Sequence, residues 1–596
     1  MKRSFKILGL VMVLMMVFSI FSAGVSAAWD QYQGNPSHNG QITGTAPLIN
    51  QLGEMDPAVS SHCSSLTLPY NGNIWAGVDT TPVMETYGGE TYAYVLYNGG
   101  TYNGSTTPGN NGLYPGTGGT RMAKIKCSDG SIVKTVALYK TGGFQLSTPY
   151  LDTAAGLIYV ATTNFYSMLD NDEFESTSAW NLGSGAVIDT TNGYVTIPAG
   201  TCISQTFNYP LSSSANTQLT SAVKLVSGSS ATVTYKLTKP NGTDVTLKTL
   251  TVTSSNNWTY IEELGNGDVY ATGNYTITVC VTGGDVIIDY VKYSRQTTGI
   301  SAVDRNLTSL TPISGTDVGG QINTPVMKYG NYIYYGTYNG GNKYYQHNLT
   351  NHSTVSFTGN SHFYWAGAIQ VSVDGVDYIV FGSDAFTSNG TKHTYLYYRP
   401  VNDFGNTGVG GYYDLGASAG NIRSTISTDG TYLYFTSQGL SNASYIWRVE
   451  TSKITNLTAN DVTSLQLSGN SSTSTPAISA NGKIYVGYYN GFSTGGVDVI
   501  DQNAFSLTNI IDGDPPGPVQ SSIIVYSPNI RYDYIYFTTN IQTGAGYCYR
   551  NSVLTNPNTA VNMWSTTPDT YTLQGMAAEN GYLSFGNDHN NFYVVH

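Results

Sequence analysis

A chain of 596 residues exceeds what one small core needs and implies several domains or one large repeat array. Only 10% of the residues are charged, while 67 Gly and 49 Tyr accompany abundant Thr, Ser, Val and Ile, the vocabulary of strands and turns rather than helices. The formal net charge of −12 argues against a nucleic-acid partner, because a phosphate backbone calls for a basic face.

The N-terminus reads as a secretory signal peptide over residues 1–27. Lys2, Arg3 and Lys6 precede an apolar run from Leu8 to Phe21, and small residues at Val25-Ser26-Ala27-Ala28 place cleavage just before Ala28 or Trp29. The alternative is an uncleaved N-terminal anchor. No second long apolar stretch follows, so the expectation is a secreted or cell-surface chain that is not an integral membrane protein.

Beyond residue 28 a phrase recurs: a Ser/Thr-Thr-Pro or its equivalent, a polar gap with Gly, then an aromatic-rich strand. It reads Thr80-Thr81-Pro82 before Tyr92-Ala93-Tyr94-Val95, Ser147-Thr148-Pro149 before Ile158-Tyr159-Val160, and Asn323-Thr324-Pro325 before Tyr332-Ile333-Tyr334-Tyr335. The clearest copy is Ser474-Thr475-Pro476 before Lys483-Ile484-Tyr485-Val486-Gly487. Eight starts at 81, 148, 324, 367, 424, 475, 521 and 575 leave gaps of 67, 176, 43, 57, 51, 46 and 54 residues. A four-stranded blade takes roughly 40–50 residues, so the pattern predicts an all-β fold, a β-propeller of about eight four-stranded blades, with seven as the alternative. The last copy runs into the C-terminus before it can complete four strands, and the segment after Trp29 is expected to close it.

The opening Trp29-Asp30-Gln31-Tyr32-Gln33-Gly34, with His38-Asn39-Gly40 after it, resembles the start of PQQ-like (quinoprotein-alcohol-dehydrogenase-like) β-propeller proteins, and the Thr-Pro and Gly-x-Ile-Tyr-Val-Gly phrases resemble their repeat. That resemblance implies the propeller fold. PQQ itself is not expected, because the vicinal cysteines of the family's dehydrogenases are missing and no copy carries a cofactor box.

The gap of 176 residues holds an insertion. The predicted organisation is therefore a signal peptide (1–27), an N-terminal propeller part (28–162), an inserted jelly-roll-like β-sandwich (163–296) and the remaining blades (297–596). Alternating strands such as Thr232-Val233-Thr234-Tyr235 and Tyr275-Thr276-Ile277-Thr278 mark the insert. Its opening Asn171-Asp172-Glu173-Phe174-Glu175 with Trp180, and its closing Ile288-Asp289-Tyr290-Val291, resemble galactose-binding-like jelly rolls that include carbohydrate-binding modules. The resemblance implies a structural Ca²⁺ held by Asp172, Glu175 and Asp289. Ordinary turn-capping and solvated acids are the alternative. Trp180 and Trp258 are the candidate ligand-binding aromatics of the insert; Trp365 and Trp447 pose the same question in the propeller. The many tyrosines are expected to fill contacts between blades rather than to bind glycan.

Of five cysteines, Cys202 and Cys280 fall inside one predicted domain and are the preferred disulfide. Cys63 with Cys127 is the next pairing, leaving Cys548. None lies in a CxxC spacing, and the eight histidines show no metal-ligand spacing, which reads them as loop and surface groups. No nucleophile elbow, phosphate loop or dinucleotide fingerprint is present, so no catalytic residue is assigned. Asn-x-Ser/Thr triplets, Asn241, Asn257 and Asn274 among them, fit a cell-envelope glycoprotein. The leading expectation is a non-enzymatic binding or scaffold protein whose partner is a glycan or another envelope component. The alternatives are a secreted enzyme on a propeller scaffold, carbohydrate-active or a degenerate quinoprotein, and an envelope protein-assembly factor.

Overall fold

The computed structural model describes residues 28–48, 63–67, 80–98, 120–139, 147–209, 215–316, 318, 321–338, 341–439, 443–512, 517–541, 545–554, 559–565, 572, 575–587 and 591–596. The predicted leader, His62 and His589 lie outside them. The described residues are all-β, with many antiparallel sheets and no α-helix, and no helix among them is long and apolar enough to cross a membrane. The chain divides into two compact units: among the described residues Thr162–Gly299 makes the second, and those before residue 100, Thr120–Ala161 and Ile300–His596 make the first.

In the first unit seven of the eight repeat starts each precede one antiparallel four-stranded meander. The first is Val83–Tyr87, Glu90–Asn98, Thr120–Lys126 and Ser131–Tyr139. The second is Tyr150–Asp152, the strand from Leu157, the strand ending at Asp304 and Leu310–Pro312, with the insert lying between its two middle strands. Five further meanders follow between Met327 and Ser565. The eighth sheet has three strands from the C-terminal end, Ala577–Glu579, Tyr582–Gly586 and Asn591–Val595, and its outer strand is Cys63–Thr67 from the N-terminal end.

Burial falls off across each meander. The second strands Tyr332–Tyr338, Tyr432–Gln438 and Tyr532–Thr538 are buried on both faces along their middles. The fourth strands Thr354–Thr358 and Val462–Gln466 are largely exposed. Two-sided burial explains why the second strands read as unbroken aromatic and β-branched runs, without the alternation of a half-solvated strand. Their covering comes from the neighbouring sheets. Leu96 and Met122 of the first sheet share a core with Val160 and Val303 of the second, and Tyr159 and Ile300 of the second share one with Tyr335 of the third. Tyr344 stacks on Phe381 of the fourth sheet with ring centroids 4.1 Å apart. Leu396 meets Phe435 of the fifth, Tyr434 meets Ile484 of the sixth, and Tyr485 meets Phe537 of the seventh. One last cluster joins Tyr536 of the seventh sheet, Phe585 of the eighth and Ala123 of the first. The tyrosines thus do pack between sheets: Tyr94, Tyr334, Tyr335, Tyr344, Tyr434 and Tyr485 are among the largest fully buried side chains.

The opening motif runs along the first strands of several of these sheets. Carbonyls of Trp29, Asp30, Ser37, Asn39, Gly40 and Thr45 accept hydrogen bonds from the amides of Met84, Leu151, Thr428, Ile478, Val525 and Gly581, at 2.7–3.0 Å. The segment therefore bonds to six of the eight sheets. His38 is buried here and its Nδ1 donates to the Ile426 carbonyl at 3.2 Å, while burial lowers its pKa to about 4. His347 is buried as well, with Nδ1 2.7 Å from Thr354 Oγ1. Both correct the reading of every histidine as a loop or surface group. Cys127 is a free buried thiol in the apolar cluster of the first sheet, which overturns its pairing with Cys63; Cys548 is also free and buried.

The second unit is a two-layer sandwich. One sheet has the order Asp244–Val252, Ala231–Thr238, Gly273–Thr282, Cys202–Tyr209, Asn181–Leu182. The other has the order Thr259–Val269, Ala215–Leu225, the strand from Val286, Tyr194–Ile197, Val187–Asp189. Strict alternation of buried and open residues in Ala231–Thr238 and Gly273–Thr282 sends one row of side chains to a single core between the sheets. Cys202 and Cys280 face each other across adjacent strands and form a disulfide.

Candidate functional site

The second sheet of the sandwich carries an open cleft of about 770 Å³ on its face. Gln218, Thr220, Tyr260, Tyr290, Lys292 and Ser294 come from three neighbouring strands, and Asn192 and Gly193 from the turn before Tyr194. Asp172, Glu173 and Glu175 reach it from the loop that opens the insert, and Asp289 from the strand that begins at Val286.

Two local features set this geometry. The first is a β-bulge. Ser221 pairs with Val291 but Val223 pairs with Ile288, so Asp289 and Tyr290 together oppose Ala222. An extra residue re-aims side chains that alternation would have sent to opposite faces. Asp289 and Tyr290 are both only partly buried, between buried Ile288 and Val291, and both line the cleft. The strand is anchored at that point, because Ser221 Oγ donates to the Tyr290 carbonyl at 2.7 Å and receives Tyr235 Oη at 2.8 Å.

The second feature is the pinned loop. Phe174 is fully buried against Trp180, with ring centroids 5.4 Å apart, and the Trp180 indole N–H donates to the Asn171 carbonyl at 3.0 Å. The Asn171 side chain bonds the backbone of Ser176 and Ser178, and Gln205 bonds both backbone groups of Asp170. With Phe174 held inside, its neighbours Glu173 and Glu175 stand exposed. Trp180 is thus a core residue and not a ligand-binding surface, which corrects that expectation: it stands in the hydrophobic core with 6% exposure. Trp258 is half-buried with the Lys224 ammonium 4.9 Å from its ring, and it does not line the cleft.

Electrostatically the cleft is acidic. Lys292 forms an ion pair with Glu173 and lies 5.7 Å from the Tyr290 ring centroid. Burial, and then the Glu173 charge, raise the Asp289 pKa, and Lys292 opposes them. Asp172, Glu175 and Asp289 all line the cleft, yet among the described residues no three Asp, Glu, His or Cys side chains gather closely enough to hold a metal ion. What the surface offers is two tyrosine rings, Tyr260 being 45% exposed, bordered by carboxylates, amides and hydroxyls. Aromatic faces take the C–H side of a sugar, and the acceptors around them take its hydroxyls. Sequence reasoning reached the three carboxylates but missed Tyr260 and Lys292, since only the strand pairing places them beside Asp289.

No protein-family profile matches the sequence. No curated protein matches it. Among solved structures, the chain is similar to the C-terminal family 22 carbohydrate binding module of Clostridium thermocellum Xyn10B, with 17% identity over 21% of this chain and 91% of that one, TM-score 0.17. It is similar also to a CBM61 module in complex with β-1,4-galactotriose (19% identity, 22% of this chain, 99% of that one, TM-score 0.18). A third is the CBM22-1 xylan-binding domain of Paenibacillus barcinonensis Xyn10C (15% identity, 21% of this chain, 91% of that one, TM-score 0.17).

Proposed function

We propose that this chain is an exported, non-enzymatic glycan-binding protein in which the inserted sandwich holds a neutral polysaccharide in its cleft. The carrying observation is that the exposed Tyr260 lines, with Tyr290, an open cleft bordered by Asp172, Glu175, Asp289 and Gln218. The excess of carboxylates over the single Lys292 repels acidic glycans and favours neutral ones. Export rests on the leader-like residues 1–27, and N-terminal sequencing of the mature chain tests it. We read the first unit as an eight-bladed propeller that serves as scaffold. That reading is supported by the succession of shared cores, which returns from the eighth sheet to the first, and by the outer strand Cys63–Thr67 of the eighth sheet.

The test is retention of the full chain on insoluble xylan, β-1,4-galactan, cellulose and chitin, with and without EDTA. Retention on at least one that EDTA leaves intact, and that Tyr260→Ala weakens about tenfold or more, supports the reading. Absence of retention on all four, or equal retention of Tyr260→Ala, refutes it.

A further inference from the structure

The first unit carries a polar cavity of about 540 Å³ that is no part of the sandwich cleft. Tyr332, Gln346 and Asn351 of the third sheet line it together with Asn402, Asp403 and Phe404 of the fourth. Most of this lining comes from the connections between the third and fourth strands of the two sheets. Its volume falls within the range of roughly 300–1,000 Å³ usual for small-ligand sites.

The fourth sheet's side of the cavity is fixed by a buried charge. Arg399 is only 2% exposed, and its guanidinium lies 4.6 Å from the Phe357 ring centroid. Its Nε donates to the Phe404 carbonyl at 3.1 Å and its Nη2 to the Asn406 carbonyl. Desolvating a guanidinium is costly, and here its bonds hold the surface turn 404–406 in one shape. Phe404 is itself buried against Tyr334, with ring centroids 5.6 Å apart. A wall shaped in advance lowers the ordering cost of binding.

The third sheet supplies a fixed acceptor. Gln346, 5% exposed, gives both amide hydrogens away, to Tyr334 Oη at 3.0 Å and to the Val401 carbonyl at 2.7 Å. Its amide is thereby oriented, and Oε1 is left without a partner among the described residues. An acceptor on so buried a side chain needs a donor from whatever fills the cavity. Asn351 uses Oδ1 on the Ser353 amide and hydroxyl, at 3.0 and 2.7 Å, so its NH₂ group stays outside that turn. The exposed Asn402 side chain adds a second amide with no partner among the described residues. No cationic side chain among the described residues lines the cavity, and its one carboxylate, Asp403, receives Asn406 Nδ2 at 2.9 Å.

Amides that donate and accept, with the half-buried Tyr332 ring beside them, match a ligand whose hydroxyls do both and whose C–H face is apolar. We propose that this cavity binds a short neutral oligosaccharide, as a second glycan site that does not depend on the sandwich cleft. An anion would lack a cationic partner there. A peptide is disfavoured because amides and hydroxyls make most of the lining and leave few apolar places for its side chains.

Isothermal titration of the full chain tests this. The protein is made in a host that does not N-glycosylate, because Asn348 and Asn351 each begin an Asn-x-Ser/Thr triplet. The probes are xylobiose, cellobiose, lactose and N,N′-diacetylchitobiose, with N-acetyl-tetraalanine amide as the peptide and inorganic phosphate as the anion. The expected result is saturable binding of at least one disaccharide that persists in Tyr260→Ala, and none of peptide or phosphate. Asn402→Trp sets a bulky ring at an exposed lining position and should abolish that binding; Asn402→Ala should weaken it fivefold or more. Should Asn402→Trp lower the thermal midpoint, Asn402→Ala decides. Binding that Tyr260→Ala removes and Asn402→Trp leaves intact belongs to the cleft and overturns this proposal without touching that one. Binding lost in Asn402→Trp but kept in Tyr260→Ala supports it even where the cleft retains no polysaccharide. Absence of binding by all four disaccharides, or peptide or phosphate bound as tightly as any of them, overturns it.

Discussion

Gly34 lies against the indole of Trp29: a Cβ placed on it would stand 2.4 Å from the ring carbons Cδ2 and Cε3. Its φ of +74° also belongs to the left-handed region. Gly34→Ala therefore meets two costs at once, backbone strain and overpacking, and should destabilise the first unit by about 3 kcal/mol in urea unfolding. Gly88, with φ of +64° and nothing within 4 Å of where a Cβ would stand, is the control and should lose only about 1 kcal/mol as Ala. Equal losses would mean that the Trp29 contact is unimportant.

Asp30 supplies a pH test. Burial, followed by the nearby Asp152 and Glu579 charges, pushes its carboxyl from 3.8 up to about 7. Asp152 is itself held by Lys328 at 3.2 Å. Between those two pH values the folded chain binds the proton more tightly than the unfolded chain does. The contribution of Asp30 to stability is thus greatest below pH 3.8 and declines as pH rises to 7. Asp30→Asn should remove this slope and gain on the order of 2 kcal/mol over the parent at about pH 8. His38, with its pKa lowered to about 4, contributes a slope of the opposite sign to both proteins and cancels in the comparison. Parallel stability curves for parent and variant would rule the account out.

The disulfide joins residues 78 apart in sequence on the outer face of the sandwich, where Cys202 is exposed. Cys202→Ser with Cys280→Ser should cost about 4.5 kcal/mol by the loop-entropy relation, seen as a lower melting transition of the second unit. Because the bond is accessible, dithiothreitol should reproduce the shift without prior unfolding. A transition insensitive to both treatments would show that the bond adds nothing.

Cys63–Thr67 has its only strand partner among the described residues in Asn591–Val595, with Cys63 in register with Val595. Deleting residues 591–596 should bare strand edges on both sides of the gap and bring aggregation and loss of a cooperative transition. Deleting His596 alone, which is exposed, should leave the transition in place. Cooperative melting of the longer deletion would show that the strand is dispensable.

Much of the architecture was legible in the sequence. The Thr-Pro phrases at 81, 148, 324 and 475 each lead into a sheet, and the hydroxyls of Thr324 and Thr475 show why the phrase recurs: both take backbone amides, a use that tolerates little else. Aromatic runs such as Tyr332–Tyr335 were legible as packing residues because two-sided burial leaves no alternation. What stayed hidden depended on pairing between distant segments. Trp180 looked like a surface aromatic, but a short loop folds it inward onto Phe174. Asp289 and Tyr290 share a face only through the bulge opposite Ala222, which local sequence does not announce. His38 lies in a polar stretch, and its burial becomes apparent only when Ile426 is beside it.

The route of the opening segment has a consequence for the order in which the molecule can be made. Trp29 to Thr45 leave the ribosome before any of the sheets, yet their carbonyls are bonded to amides as far along as Thr428, Ile478, Val525 and Gly581. A stretch synthesised ahead of the sheets is therefore fully locked only after the later ones have emerged. Every contact it makes closes a loop of tens to hundreds of residues, so the first unit cannot finish folding while the chain is still growing and must do so slowly once it is whole. A chain built this way remains threadable until its final strand has emerged.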